Sequence, residues 1–145
     1  MFLTAEPETA PTSLLHNLKH NKVLHERNII LTVMTSDVPR VDPQERTTIK
    51  VLSETFTQVI MRFGYMEVPN VIREIVANQH NGMPFEVMQT SFFLSRRALR
   101  TASDTALPLW QNRLFIALTG VSDDAARYFA LPTDRVVEIG AQVTV

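Results

Sequence analysis

Residues 28–36, NIILTVMTS, are a near-continuous apolar run rich in β-branched side chains. A stretch of this kind reads as a buried strand in the middle of a sheet, because a half-exposed strand would alternate with polar residues. The closing segment 135–145, RVVEIGAQVTV, does alternate. Val137, Ile139, Ala141, Val143 and Val145 fall on one face, and Glu138, Gln142 and Thr144 on the other.

The segments around these two strands supply the rest of a sheet and its cover. Residues 1–12 carry two prolines and no periodicity and read as an extended lead-in. Ser13 is placed to cap a helix from Leu14 to about Leu24, with Leu14, Leu15 and Leu18 as its apolar stripe. The two prolines of 37–46 make that segment a loop. In 47–66, Ile49 and Val51 share one face, and Thr57, Val59, Met61 and Phe63 another. The Ser53-Glu54-Thr55 turn between them predicts a hairpin. Pro69 suits a helix first turn, and Val71, Ile72, Ile75 and Val76 have helical spacing, with Gly82 as a stop. A strand is predicted around 87–95, a helix over 107–120, and a short helix opening at Ser122 and ended by Pro132. Strands and helices interleave around one hairpin. The expected fold class is α/β, a single domain with a mixed, mostly parallel sheet flanked by helices.

A chain of 145 residues is one domain by length and long enough for a real core. Its 45% hydrophobic content and net charge of −1 set it apart from disordered chains and from basic nucleic-acid binders. Cysteine is absent, which excludes a disulfide scaffold, a thiolate zinc site and a cysteine nucleophile. No stretch approaches the roughly 20 apolar residues of a spanning helix, and no signal peptide is visible, so the expectation is a soluble, intracellular chain.

The residue types that carry chemistry do not assemble into a site. Residues 13–28 hold three histidines, two lysines and an arginine. His16 and His20 are four apart and share a helix face, but at about 100° per residue His25 falls on the opposite side of the same helix. The zinc-protease glutamate is also missing, so no metal site is expected. The four glycines, Gly64, Gly82, Gly120 and Gly140, make no phosphate loop. Ser91 and Ser95 lie outside any nucleophile elbow, and Asp123 and Asp124 suit a helix start. Arg96, Arg97 and Arg100 read as a solvated strand end. The expectation is a non-enzymatic domain with no catalytic residue, no metal and no cofactor.

Longer strings of residues say more. FLTAEPETAPTSLLHNLKHNKVLHERNIILTV (2–33) closely resembles the segment after the last membrane helix in the Kup (KUP/HAK/KT) family of bacterial potassium uptake transporters. MRFGYMEVPNV (61–71), TSFFLSRRAL (90–99) and RVVEIGAQVTV (135–145) follow in the family's order. The match departs at 95–99, where relatives commonly have a Gly-Arg-Glu-Thr-Leu type run. Met1 looks like an added start.

The resemblance implies the C-terminal cytoplasmic domain of a proton-coupled potassium transporter, on the inner face of the cell membrane. Residues 1–12 would lead in from the membrane domain, and 13–145 would form a regulatory or assembly domain. The partners implied are that membrane domain, a second copy in a homodimer through residues 13–26, and a small nucleotide regulator such as cyclic di-adenosine monophosphate, for which no residue of this chain matches a known site. Nucleic acid is not implied. Cytoplasmic flanks of membrane helices are enriched in Lys and Arg. On that reading Leu14, Leu15, His16, Asn17, Leu18, Lys19, His20, Asn21 and Lys22 form a membrane-proximal connector, with Arg27 close by. The competing expectation is a stand-alone nucleotide-binding domain of universal-stress type, which the same element order allows but which usually carries a glycine-rich loop.

Overall fold

A computed structural model describes residues 1–78, 86–100 and 125–144. Six strands form one sheet: β1 (Phe2–Thr4), β2 (Asn28–Ser36), β3 (Thr47–Val51), β4 (Phe56–Gly64), β5 (Phe92–Arg100) and β6 (Val136–Thr144). Three helices are described: α1 (Thr12–Asn21), α2 (Val71–Asn78) and the one-turn α3 (Ala125–Tyr128). The strand order is β3-β4-β2-β1-β5-β6. Every neighbouring pair is parallel except the β3–β4 hairpin. The protein is therefore α/β with a mixed, mostly parallel sheet.

The sheet is covered on both faces, which explains the character of β2. On one face Leu3, Leu31, Val59, Met61, Phe63, Phe92 and Leu94 pack with Val71 and Ile75 of α2, with Ala126 of α3 and with Leu131. On the other, Phe2 and Phe93 stack at 4.7 Å and pack with Leu14 of α1. β2 runs in register with β4 from Asn28↔Phe56 to Ser36↔Gly64, and with β1 on its other edge. β6 pairs with β5 along its whole length and puts Val136 against the first core and Ile139 against the second. In the hairpin, the Ser53 hydroxyl oxygen accepts the amides of Thr55 and Phe56. These bonds close a turn that lacks the Asn-Gly pair common in tight hairpins.

The stretch expected as a lead-in contributes to the sheet. Phe2–Thr4 is a strand between β2 and β5, with Phe2 in one core and Leu3 in the other. Only residues 5–11 connect it to α1. Helix α1 also differs from expectation. Its N-cap position is Pro11, without a side-chain cap. Ser13 is buried and its hydroxyl donates to the Phe93 carbonyl at 3.5 Å. The helix stops at Asn21, where Lys22 turns left-handed at φ 54°. At α2, Asn70 is the capping residue, its side-chain oxygen accepting the Arg73 amide at 2.9 Å, and Pro69 lies just outside. β5 starts at Phe92, and Val87–Gln89 before it is a 3-10 turn. The helix expected over 107–120, Gly82, Gly120 and residues 122–124 lie outside the described residues.

Met1 enters the sheet beside β5. Its α-amino group donates to the Ser91 carbonyl at 2.8 Å, and its own carbonyl accepts from the Phe93 amide at 2.8 Å. Burial pushes this amine down from 8.0 to about 5. Between those values the unfolded chain holds a proton that the folded chain releases. Stability therefore rises with pH across that window and falls as the amine is forced to charge. For the 145-residue chain, the expected result is a lower melting temperature at pH 5.5 than at pH 8, with uptake of up to about one proton by this amine on unfolding near pH 6.5.

Candidate functional site

Two constructions stand out at opposite ends of the sheet. The first is the end of α1 and the turn that follows it. Helix α1 lies on the sheet through Ser13, Leu14 and Asn17, so the buried face is mostly polar. The expected stripe of Leu14, Leu15 and Leu18 is not the buried one. Leu15 is 53% exposed and Leu18 38%, and only Leu14 is covered. The polar residues are inside because each has a partner. The Asn17 side-chain amide donates to the Val23 carbonyl at 3.0 Å and its oxygen accepts from Asn21 at 2.8 Å. Buried polar groups that are satisfied in this way cost little.

The chain after the helix is held from both sides. Asn17 takes the Val23 carbonyl, and the Asn28 side-chain amide donates to the His25 carbonyl at 2.7 Å. Both asparagines are almost fully buried. The side chains between these anchors point outward, with Val23 and Leu24 exposed beside Lys22, His25 and Arg27. Of the expected connector residues, Leu14 and Asn17 face the sheet, His16 is partly covered, and Leu15, Leu18, Lys19, His20, Asn21 and Lys22 are exposed. His16 and His20 stack at 5.7 Å on one side of the helix. His25 lies beyond the helix end, not on its opposite face, and its ring sits 6.0 Å from Phe93.

The second construction is a clasp at the carboxyl end of β4. Arg46 bridges Glu67 at 2.5 Å and Glu74 of α2 at 2.6 Å, and donates to the Val41 carbonyl at 3.0 Å. Its guanidinium also lies 5.4 Å from the Phe63 ring centroid. Glu67 accepts the amides of Gly64 at 2.7 Å and Val41 at 3.1 Å. These two backbone donors, and then the charge of Arg46, hold its carboxyl below the usual range. The clasp ties the 37–46 loop to β4 and α2. Sequence reasoning missed it, since Arg46, Glu67 and Glu74 belong to no spaced motif.

In the clasp the charged groups bond one another and the backbone. Of the three arginines in 95–100, Arg96 pairs with Glu138 at 3.3 Å in the open, a contact worth at most about 1 kcal/mol. The run that departs from the family pattern lies within strand β5. The loop after β1, next to the point where the strand order reverses, is where α/β sheets bind nucleotides. Here it carries Glu6 and Glu8, which oppose a phosphate. The Thr4 hydroxyl is occupied with the Glu6 backbone. Among the described residues no helix is long and apolar enough to cross a membrane.

Fold and site define a small α/β domain with a mostly parallel sheet and a basic, apolar-studded turn at the end where β1 and β2 begin. The chain belongs to the K+ potassium transporter C-terminal domain family, whose model matches residues 1–145. Over all 145 residues it is 57% identical to the "Probable potassium transport system protein Kup 2" of Rhodopseudomonas palustris strain BisB18, 53% to the Kup 2 protein of Bradyrhizobium sp. strain BTAi1, and 52% to a Kup protein of Nitrobacter hamburgensis. The whole chain is covered in each case, but only 23%, 23% and 22% of those relatives. The chain thus spans less than a quarter of their length. No solved structure matches.

Proposed function

We propose that this domain is the cytoplasmic C-terminal part of a proton-coupled potassium importer, where it serves regulation, assembly or stability and stands outside the ion path. The observation that carries the reading is the family match over the entire chain, together with relatives named as potassium transport proteins. The clasped loop and doubly covered sheet support a structural role, because they spend their charged groups on holding the fold. The stand-alone universal-stress reading is disfavoured by the glutamates in the loop after β1 and by the want of a glycine-rich loop.

Residues 14–22 are the membrane-proximal connector on this reading. A second reading, self-association, draws on the outward Leu15 and Leu18. A monomer at tens of micromolar by sedimentation equilibrium, unchanged by Leu15→Asp and Leu18→Asp, would end it.

The cytoplasmic placement is tested by labelling. The domain has no cysteine, and Val68 is 84% exposed in the turn after β4. In an otherwise cysteine-free transporter carrying this domain, Val68→Cys should react with an impermeant maleimide only after the cells are opened. Reaction in intact cells would overturn the placement.

A further inference from the structure

The turn at residues 22–27 combines three features. Its backbone is fixed, with the Val23 and His25 carbonyls taken by the buried Asn17 and Asn28 amides. Its entry is strained, since Lys22 sits at φ 54°, a conformation that favours glycine or asparagine. Its two largest apolar side chains are nevertheless outside, Val23 at 51% exposure and Leu24 at 43%. Buried polar groups and backbone strain are here used to hold hydrophobic groups in water. A fixed backbone that presents apolar side chains to water is what a preorganised contact requires.

The surroundings name the contact. Lys19, His20, Lys22, His25 and Arg27 flank the protrusion, with Leu18 beside them at 38% exposure. Glu26 is the lone acid between residues 13 and 28. Cations around a small apolar wedge match an anionic lipid surface, where the wedge enters the acyl boundary and the cations meet the headgroups. The position in the fold agrees. β1, β2 and β5 are parallel, so Met1, Asn28 and Phe92 begin at one end of the sheet, and His25 touches Phe93 there. A chain running back from Met1 would leave the domain at the end that carries the protrusion.

We infer that residues 18–27 form a docking face for anionic lipid, which seats the domain against the membrane at the point where the transporter's chain enters it. The inference rests on the proposed membrane-attached role, and it adds the partner and the residues that meet it. It does not need the histidines to be charged.

The test is partition of the 145-residue chain onto vesicles. One set holds phosphatidylcholine with phosphatidylglycerol in equal parts, the other phosphatidylcholine alone, both at 50 mM salt. The expected result is binding to the anionic set only, weakening as salt rises. Lys19→Gln with Lys22→Asn should lower the partition coefficient about twenty-five-fold, taking about a fivefold loss for each cation near the surface. Leu24→Ser should lower it about tenfold by removing buried apolar area. Val68→Ser, in the turn after β4 at the other end of the sheet, should leave it unchanged. Circular dichroism of each variant checks that the fold is kept, and Lys22→Asn relieves the strain at that position. No partition onto anionic vesicles, or partition untouched by the lysine and leucine changes, would overturn the inference. So would a dimer lost in Leu24→Ser with no vesicle binding, which assigns the face to a second copy. The cysteine labelling of Val68 reports the cytoplasmic placement separately, so either result can fail without the other.

Discussion

Gly64→Ala is expected to destabilise the domain by about 4 kcal/mol, and to lower its melting temperature on the order of 10 °C. A Cβ at this position would lie 2.3 Å from the Pro39 carbonyl oxygen, 2.4 Å from its carbon and 2.6 Å from the Arg40 Cα. These are backbone atoms, so no side chain can rotate away. The neighbouring strand end cannot retreat either. The Tyr65 amide donates to the Val38 carbonyl at 3.0 Å and the Met66 amide to Pro39 at 3.1 Å, which pins the 37–46 loop against the end of β4. The glycine is therefore required by close approach of two backbones. Thermal unfolding of the variant is the check, and a melting temperature within 2 °C of the parent, by rough conversion from about 0.5 kcal/mol, would mean that the loop is not seated this way.

Arg46→Met should cost about 3 kcal/mol, since removing one partner of a buried pair leaves the other charge uncompensated. The Arg46 and Glu74 side chains are 14% and 10% exposed, and Glu74 bonds to Arg46 on the inner side of α2. An exposed pair such as Arg96–Glu138 sets the contrast. Arg96→Met should change stability by less than about 1 kcal/mol. The loss should also carry a pH signature. Glu67 titrates below its ordinary value when folded, so its contribution is present above that ordinary value and disappears as pH falls through the folded one. Removing Arg46 takes away only part of this dependence, because the Gly64 and Val41 amides are the larger cause. Denaturant unfolding at neutral and acid pH measures both effects.

The parts of the fold that were legible in the sequence are those set by local pattern. β2 announced itself by an apolar run that only a doubly covered strand can carry. β6 did so by alternation, and the hairpin by two alternating runs around a polar turn, although their residues share one face of the sheet, with Ile49 opposite Val59 and Val51 opposite Thr57. What stayed hidden depends on distant partners. Phe2–Thr4 is too short to show a period, and it is a strand because β2 and β5 hold both its edges. Leu15 and Leu18 read with Leu14 as the apolar stripe of α1, yet of the three only Leu14 meets the sheet, and Ser13 and Asn17 are buried beside it. Their bonds run to the carbonyls of Phe93 and Val23, which no helical wheel displays. The same blindness misplaced His25, because the left-handed Lys22 ends the helix three residues earlier than the hydrophobic pattern implies. The basic character of residues 19–27 was plain from composition. The rigid presentation of Val23 and Leu24 was not, since it comes from two buried asparagines eleven residues apart.

The central claim is that the domain supports a potassium transporter without forming part of its ion path. Potassium uptake kinetics test it most directly. In a strain without other potassium importers, a Kup transporter is compared with the same transporter carrying Gly64→Ala in this domain, with the amount of protein in the membrane measured in parallel. The account predicts that maximal uptake falls with protein level or activity, while the potassium concentration for half-maximal uptake and the discrimination against sodium stay unchanged. A shift in either of those two quantities would place the domain in the path and contradict the account.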